Sequence, residues 1–245
     1  MTTPAHFTPD TRTRLYLWLS AVFITCLLLA NILGVKLFRF ELDLGPLGLI
    51  PVEHTLGMLP FPITFLLTDL LNEYYGKKAA RRVTWLAFAM GLVAFAMIYL
   101  GRKFPTLEGI PGTADAASFE LIFGASALMY LASMAAFLVG SLLDIFLFGL
   151  FKRATRGRYV WLRATGSTVV SQLFDSFVVT FMFFVVLQRL AGGEAADLHF
   201  VLRTAFTGYI LKFVIAVLLT PAIYLGRWAI KARFGLQPMP VDDLA

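Results

Sequence analysis

Six stretches of this 245-residue chain are apolar over roughly the 20 residues that a helix needs to cross a bilayer. They fall near 14–38, 48–75, 79–101, 120–150, 164–190 and 202–230. In hydrocarbon every backbone N–H and C=O must be paired internally, so spans of this length are read as helices. Composition agrees: 59% of residues are hydrophobic and 15% charged, against about 25% charged in an ordinary soluble domain. The expectation is an all-α integral membrane protein, a single transmembrane domain over 1–245. The polar start MTTPAHFTPDTRTR leads into an apolar run too long for a typical signal-peptide core, so that run is read as the first span.

The net charge of +6 could point to nucleic acid, but the basic residues lie in short clusters between apolar stretches. Placing the N-terminus inside puts Arg12 and Arg14, then Lys77, Lys78, Arg81 and Arg82, on the cytoplasmic side. Lys152, Arg153, Arg156, Arg158 and Arg163, then Arg227, Lys231 and Arg233, join them there. The opposite side holds Lys36, Arg39, Arg102, Lys103, Arg189 and Arg203. This bias places both termini in the cytoplasm and leaves no reason to expect a nucleic-acid partner. A homodimer is compatible with these features and not required by them.

Prolines punctuate the second span. Pro46, Pro51, Pro60 and Pro62 precede or interrupt it, and each removes a backbone donor and disfavours helix just before it. The continuous helix is expected to start near Pro62. Residues 44–60 are then either a re-entrant element, tolerable at membrane depth only against protein or a cavity, or an ordinary external loop.

Carboxylates inside spans cost about 2.5–3.5 kcal/mol each on insertion scales and so mark sites that face protein or water. In TDLLNEYYGKKAARR, Asp69, Asn72 and Glu73 share one helix face. Asp144 lines up with Gly140 and Ser141, and Asp175 with Ser171, Gln172 and, a turn further back, Thr168. Lys212 lies nearer the midplane, where it could neutralise one acid, and Asn31 sits deep in the first span. Together these residues are expected to line one inward-facing site. Bland readings stand beside this one. Glu73 could snorkel to Arg81 or Arg82, Asp144 could pair with the basic loop, and Asp175 with Lys212 could be a structural ion pair.

Other chemistries find no support. The single cysteine, Cys26, rules out a disulfide framework and a thiolate metal site within one chain. His6, His54 and His199 have no ligand spacing, so neither a metal nor a cofactor is expected. HExxH, P-loop and GxSxG motifs are absent. Ser167 in TGST could act as an intramembrane nucleophile, but His199 belongs to the opposite membrane face. The chain does not read as an enzyme.

Four segments carry a family resemblance: ANILGVKLF at 30–38, TDLLNEYYGKKAARR at 68–82, RATGSTVVSQLFDSFVVTF at 163–181 and GYILKF at 208–213. They are similar to the queuosine precursor transporter family, also catalogued under vitamin uptake, and cover most of the membrane region in the expected order. One departure is Ser141, where the family pattern has a Gln. The resemblance implies a six-helix carrier in the bacterial inner membrane, importing 7-cyano- or 7-aminomethyl-7-deazaguanine for tRNA modification. A guanine-like edge offers N1–H and 2-amino donors side by side, which one carboxylate accepts together. Asp175 or Glu73 is expected in that role, with Lys212 as charge partner. Two other readings remain open here: a substrate-binding subunit energised by a separate ATPase, and a non-transporting assembly or sensor protein.

Overall fold

In the computed structural model the described residues are 9–43, 49–107, 109–111, 113–124, 127–190 and 192–240. At positions 40, 42–43, 49–54 and 127–128 the backbone alone is described. Helix α1 (Thr11–Leu33) is capped by Asp10, whose carboxylate accepts from the Thr13 N–H at 3.2 Å. Two antiparallel strands follow, β1 (Leu37–Asp43) and β2 (Leu49–Thr55), with Leu37 opposite Thr55 and Asp43 opposite Leu49. This ribbon is the departure from an otherwise helical chain. Its first strand alternates Phe38, Phe40 and Leu42 with Arg39, Glu41 and Asp43, a period of two that suits a strand and not a helix. The expected re-entrant or loop element is therefore extended up to Thr55, followed by a short 3₁₀ turn (Leu56–Met58). Pro46 lies outside the described residues, as does His6.

Helix α2 (Phe61–Gly101) begins between two prolines, with Pro62 in the first turn where its missing N–H costs nothing. Its 41 residues are interrupted at Gly76, where φ is 76° and ψ 173°. Contacts with α1 show that the chain reverses there. The Tyr75 hydroxyl donates to the Arg12 carbonyl at 2.8 Å, and Tyr16 reaches the Ala79 carbonyl, so both sides of Gly76 lie beside the start of α1. At the far end of α1, Asn31 and, just past the helix, Val35 line one cavity with Phe61 from the first half and another with Phe95 and Ile98 from the second.

A short α3 (Ala116–Phe123), capped by Asp115, leads to α4 (Ala127–Ala154). Helix α5 (Val160–Phe181) continues through a π-helical stretch (Met182–Leu187) into a last turn (Gln188–Leu190). Helix α6 (Leu198–Leu218), capped by Asp197, breaks at Leu219, and α7 (Thr220–Phe234) resumes with Pro221 in its first turn. The sixth expected apolar run is thus two helices. Five segments among the described residues are long and apolar enough to cross a membrane: Thr11–Leu33, Leu56–Gly101, Met129–Ala154, Val160–Leu190 and Leu198–Leu218.

Packing is inverted relative to a soluble protein. Trp18, Met97, Leu218 and Trp228 are exposed, while Asn72, Glu73, Asp144 and Arg163 are each about 1% exposed. Lipid, not water, is the solvent that permits this arrangement. An apolar seam of Phe23, Leu71, Ala87, Ile145, Phe148 and Ile223 joins α1, both halves of α2, α4 and α7. Both described chain ends lie on one side of the bundle, since Arg12 donates to the Tyr74 carbonyl and the Met239 N–H donates to that of Glu73.

Candidate functional site

At the end of the bundle away from the chain termini, a cavity of about 390 Å³ opens between the end of α1, the start of α2, α4, the outer part of α5 and α6. That volume falls within the range of about 300–1,000 Å³ typical of small-molecule sites. Its walls are rich in rings: Phe23, Phe61, Phe65, Phe137, Phe183 and Phe184. The Phe61 and Phe65 rings meet edge to face with centroids 4.3 Å apart. Phe183 and Phe184 belong to the π-helical stretch, a local widening of the helix common at functional sites.

The cavity's charged pair is Asp175 and Lys212, with the ammonium bonded to the carboxylate Oδ2. Lys212 Nζ also lies 4.8 Å from the centroid of the Phe61 ring, a cation–π contact that ties α6 to α2. Helix α4 comes close to this pair because residue 140 is glycine; a Cβ there would sit 3.1 Å from that of Asp175. One turn deeper on α5, Gln172 lines the cavity, and its buried Oε1 has no hydrogen-bond partner among the described residues. Asn31 lines the outer wall, donating to the Leu27 carbonyl at 3.0 Å.

Below the cavity, toward the termini, lies a separate polar layer. Asp144 Oδ1 accepts from three hydroxyls of α5: Ser167 at 2.9 Å, Ser171 at 3.2 Å and Thr168 at 3.3 Å. Asp69 faces the same region and lines a void of about 20 Å³ together with Thr165, Thr168 and Thr220. Asn72 donates to the Ile145 carbonyl at 3.1 Å, fixing α2 against α4.

Deeper still, Glu73 is clamped by cations from three helices. Arg163 reaches its Oε1 at 2.6 Å, Lys152 its Oε2 at 3.2 Å and Arg227 its Oε1 at 3.6 Å. The tail after α7 closes over this cluster, Lys152 donating to the Met239 carbonyl at 2.9 Å.

The ten residues expected to share one site therefore divide. Asn31, Gln172, Asp175 and Lys212 line the cavity; Thr168, Ser171, Asp144 and Asp69 form the layer beneath it; Asn72 and Glu73 lie outside the cavity. Glu73 is not a partner of Arg81 or Arg82 in the ion pairs found, because the bundle brings Arg163, Lys152 and Arg227 to it first. These three cations read in the sequence as topology signals, and nothing local marked them as buried. The Asp175–Lys212 contact spans 37 residues, and only the packing of α5 on α6 creates it.

A multi-pass helical membrane protein with a ring-lined cavity, a buried ion pair and no metal-binding acid or histidine cluster among its described residues has the construction of a carrier. The chain belongs to the family described as "Putative vitamin uptake transporter", which matches residues 55–226. Among its relatives, a "Probable queuosine precursor transporter" of Bacillus subtilis is 34% identical over 71% of each chain. Another of that name from Haemophilus influenzae is 26% identical over 89% of this chain and 88% of its own. The "Queuosine precursor transporter" of Escherichia coli is 26% identical over the same shares. No solved structure gives a significant match. These relatives are transporters by name, in agreement with the absence of enzyme motifs in the sequence.

Proposed function

We propose that the chain imports queuosine precursors, 7-cyano- or 7-aminomethyl-7-deazaguanine, across the bacterial inner membrane through the Asp175–Lys212 cavity. Six spans serve it. The halves of α2 on either side of Gly76 count as two, since they run in opposite directions along α1, and both termini lie in the cytoplasm, where the basic residues concentrate. The cavity then faces outward and the Glu73 cluster closes the inner side.

The observation that carries this reading is the pairing of Asp175 with an unmet acceptor, Gln172 Oε1, inside a ring-lined cavity. A flat base with adjacent N–H donors can supply what Gln172 lacks and take the place of Lys212 on Asp175, while the rings hold its faces. Asp175 is the favoured acceptor for the N1–H and 2-amino edge, because it lines the cavity and Glu73 does not. On binding, Lys212 is freed to donate to the O6 carbonyl or to offset the carboxylate.

The test is restoration of queuosine in tRNA by low external precursor, in a host that can neither make nor import it. Wild-type chain is expected to restore it, and Asp175→Asn with Lys212→Ala to abolish it. Normal rescue by the double variant would sink the site; failure of the wild type with both precursors would sink the cargo.

A further inference from the structure

Asp69 and Asp144 are buried acids that neither the cargo site nor the cation cluster around Glu73 uses. We infer that they form a proton-binding pair that couples cargo movement to a proton gradient, an inference that rests on the transporter reading above. Asp69 is 5% and Asp144 1% exposed, and Asp69 Oδ1 and Asp144 Oδ2 have no hydrogen-bond partner among the described residues. Thr168 joins the two, donating to Asp144 and lining the void against Asp69. That void, about 20 Å³, exceeds the roughly 10–15 Å³ that one water needs, so a proton has a place from which to arrive.

The surrounding charges are already engaged. Lys212 of α6 belongs to Asp175 of α5, and Lys152 of α4, Arg163 of α5 and Arg227 of α7 converge on Glu73, one turn along α2 from Asp69. On α1, Arg12 donates to the Tyr74 carbonyl. Each carboxylate has a bare buried oxygen and no ion-pair partner among the described residues, and a proton can bind there without stranding a cation.

The hydroxyls of α5 fit both forms. Ser167 Oγ lies 2.9 Å from Asp144 Oδ1 and 3.2 Å from the Ala164 carbonyl; Ser171 Oγ lies 3.2 Å from Oδ1 and 3.1 Å from the Thr168 carbonyl. Each has one hydrogen to give. Directed at Oδ1 they stabilise the carboxylate, and turned to their own helix they release it once Oδ2 is protonated. The pair stands between the cavity and the closed inner cluster, on α2, α4 and α5, where its protonation can bias how those helices pack.

Two measurements on the purified full chain test this. In sodium-free proteoliposomes, acid outside is expected to drive accumulation of labelled 7-aminomethyl-7-deazaguanine by the wild type. Asp69→Asn and Asp144→Asn should still exchange labelled for unlabelled base yet not concentrate it. Accumulation by both variants as in the wild type, or driven in the wild type by a sodium gradient alone, overturns the proposal. Absence of any exchange by the wild type counts against the cargo instead, and the second measurement still decides. The infrared difference spectrum between acid and alkaline buffer should show a carboxylic acid carbonyl band that weakens in either Asn variant. With Ser167→Ala and Ser171→Ala together, the band should persist into more alkaline buffer, because the ionised form loses its donors. No such band in the wild type, or one unchanged in both Asn variants, overturns the proton site.

Discussion

Glu73 meets cations from α4, α5 and α7, and removing its charge leaves them facing one another in a buried space. Glu73→Gln is therefore expected to destabilise the protein by about 3–5 kcal/mol, read as a lowered Tm in detergent, since breaking a buried pair from one side strands the partner. Arg227, whose side chain is 27% exposed, can turn to the interface, so Arg227→Ala should cost much less. The Asp175–Lys212 pair separates stability from function. Lys212→Met alone strands Asp175, and adding Asp175→Asn should recover much of the Tm while uptake stays lost. Uptake that returned with stability would make the pair a structural tie. At this scale the sequence marked the acids well, because a carboxylate within an apolar run is conspicuous. It could not rank them: Asp69, Asp144, Asp175 and Glu73 look alike until their partners, dozens of residues away, are in place.

Three features depart from a plain helix: the reversal at Gly76, the ribbon and the π-helical stretch of α5. Gly76 holds φ 76° and ψ 173°, a region that side chains other than glycine rarely enter, and a Cβ there would lie 2.8 Å from Met239 Sδ. Gly76→Ala should cost about 1–3 kcal/mol in the same melting experiment; an unchanged Tm would mean that the reversal does not depend on this backbone. The expected spans end at 75 and resume at 79, about the basic cluster KKAARR, and the break at Gly76 falls between those limits. The alternation over 37–43 is a strand signal, but the prolines after it point as readily to a re-entrant element or an ordinary external loop. Nothing comparable foretells the π-helical stretch of α5. MFFVVL is an ordinary apolar sequence, and its hydrogen-bond shift is set by what packs around Phe183 and Phe184.

The whole molecule is polar at one end, open at the other and apolar around its girth. Its proposed orientation can be checked in a Cys26→Ser background, Cys26 being the single cysteine. An impermeant thiol reagent should label Lys103→Cys in intact cells and Arg156→Cys only after permeabilisation; the reverse pattern would invert the protein in the membrane. Apolar run length, basic clusters and acids in spans are local quantities, so the sequence alone determined that this is a multi-pass helical membrane protein with polar helix faces turned inward. Its motifs alone also pointed to the transporter family that comparison with known proteins shows. Which polar residues share a space was decided only in three dimensions. The helix faces carrying Asp69, Asp144 and Asp175 are equivalent by spacing, but α5 packs against α4 at one depth and α6 at another. Burial away from bulk solvent makes each acid take the donors that lie at its own depth: Lys212 for Asp175, hydroxyls for Asp144, and three cations for Glu73.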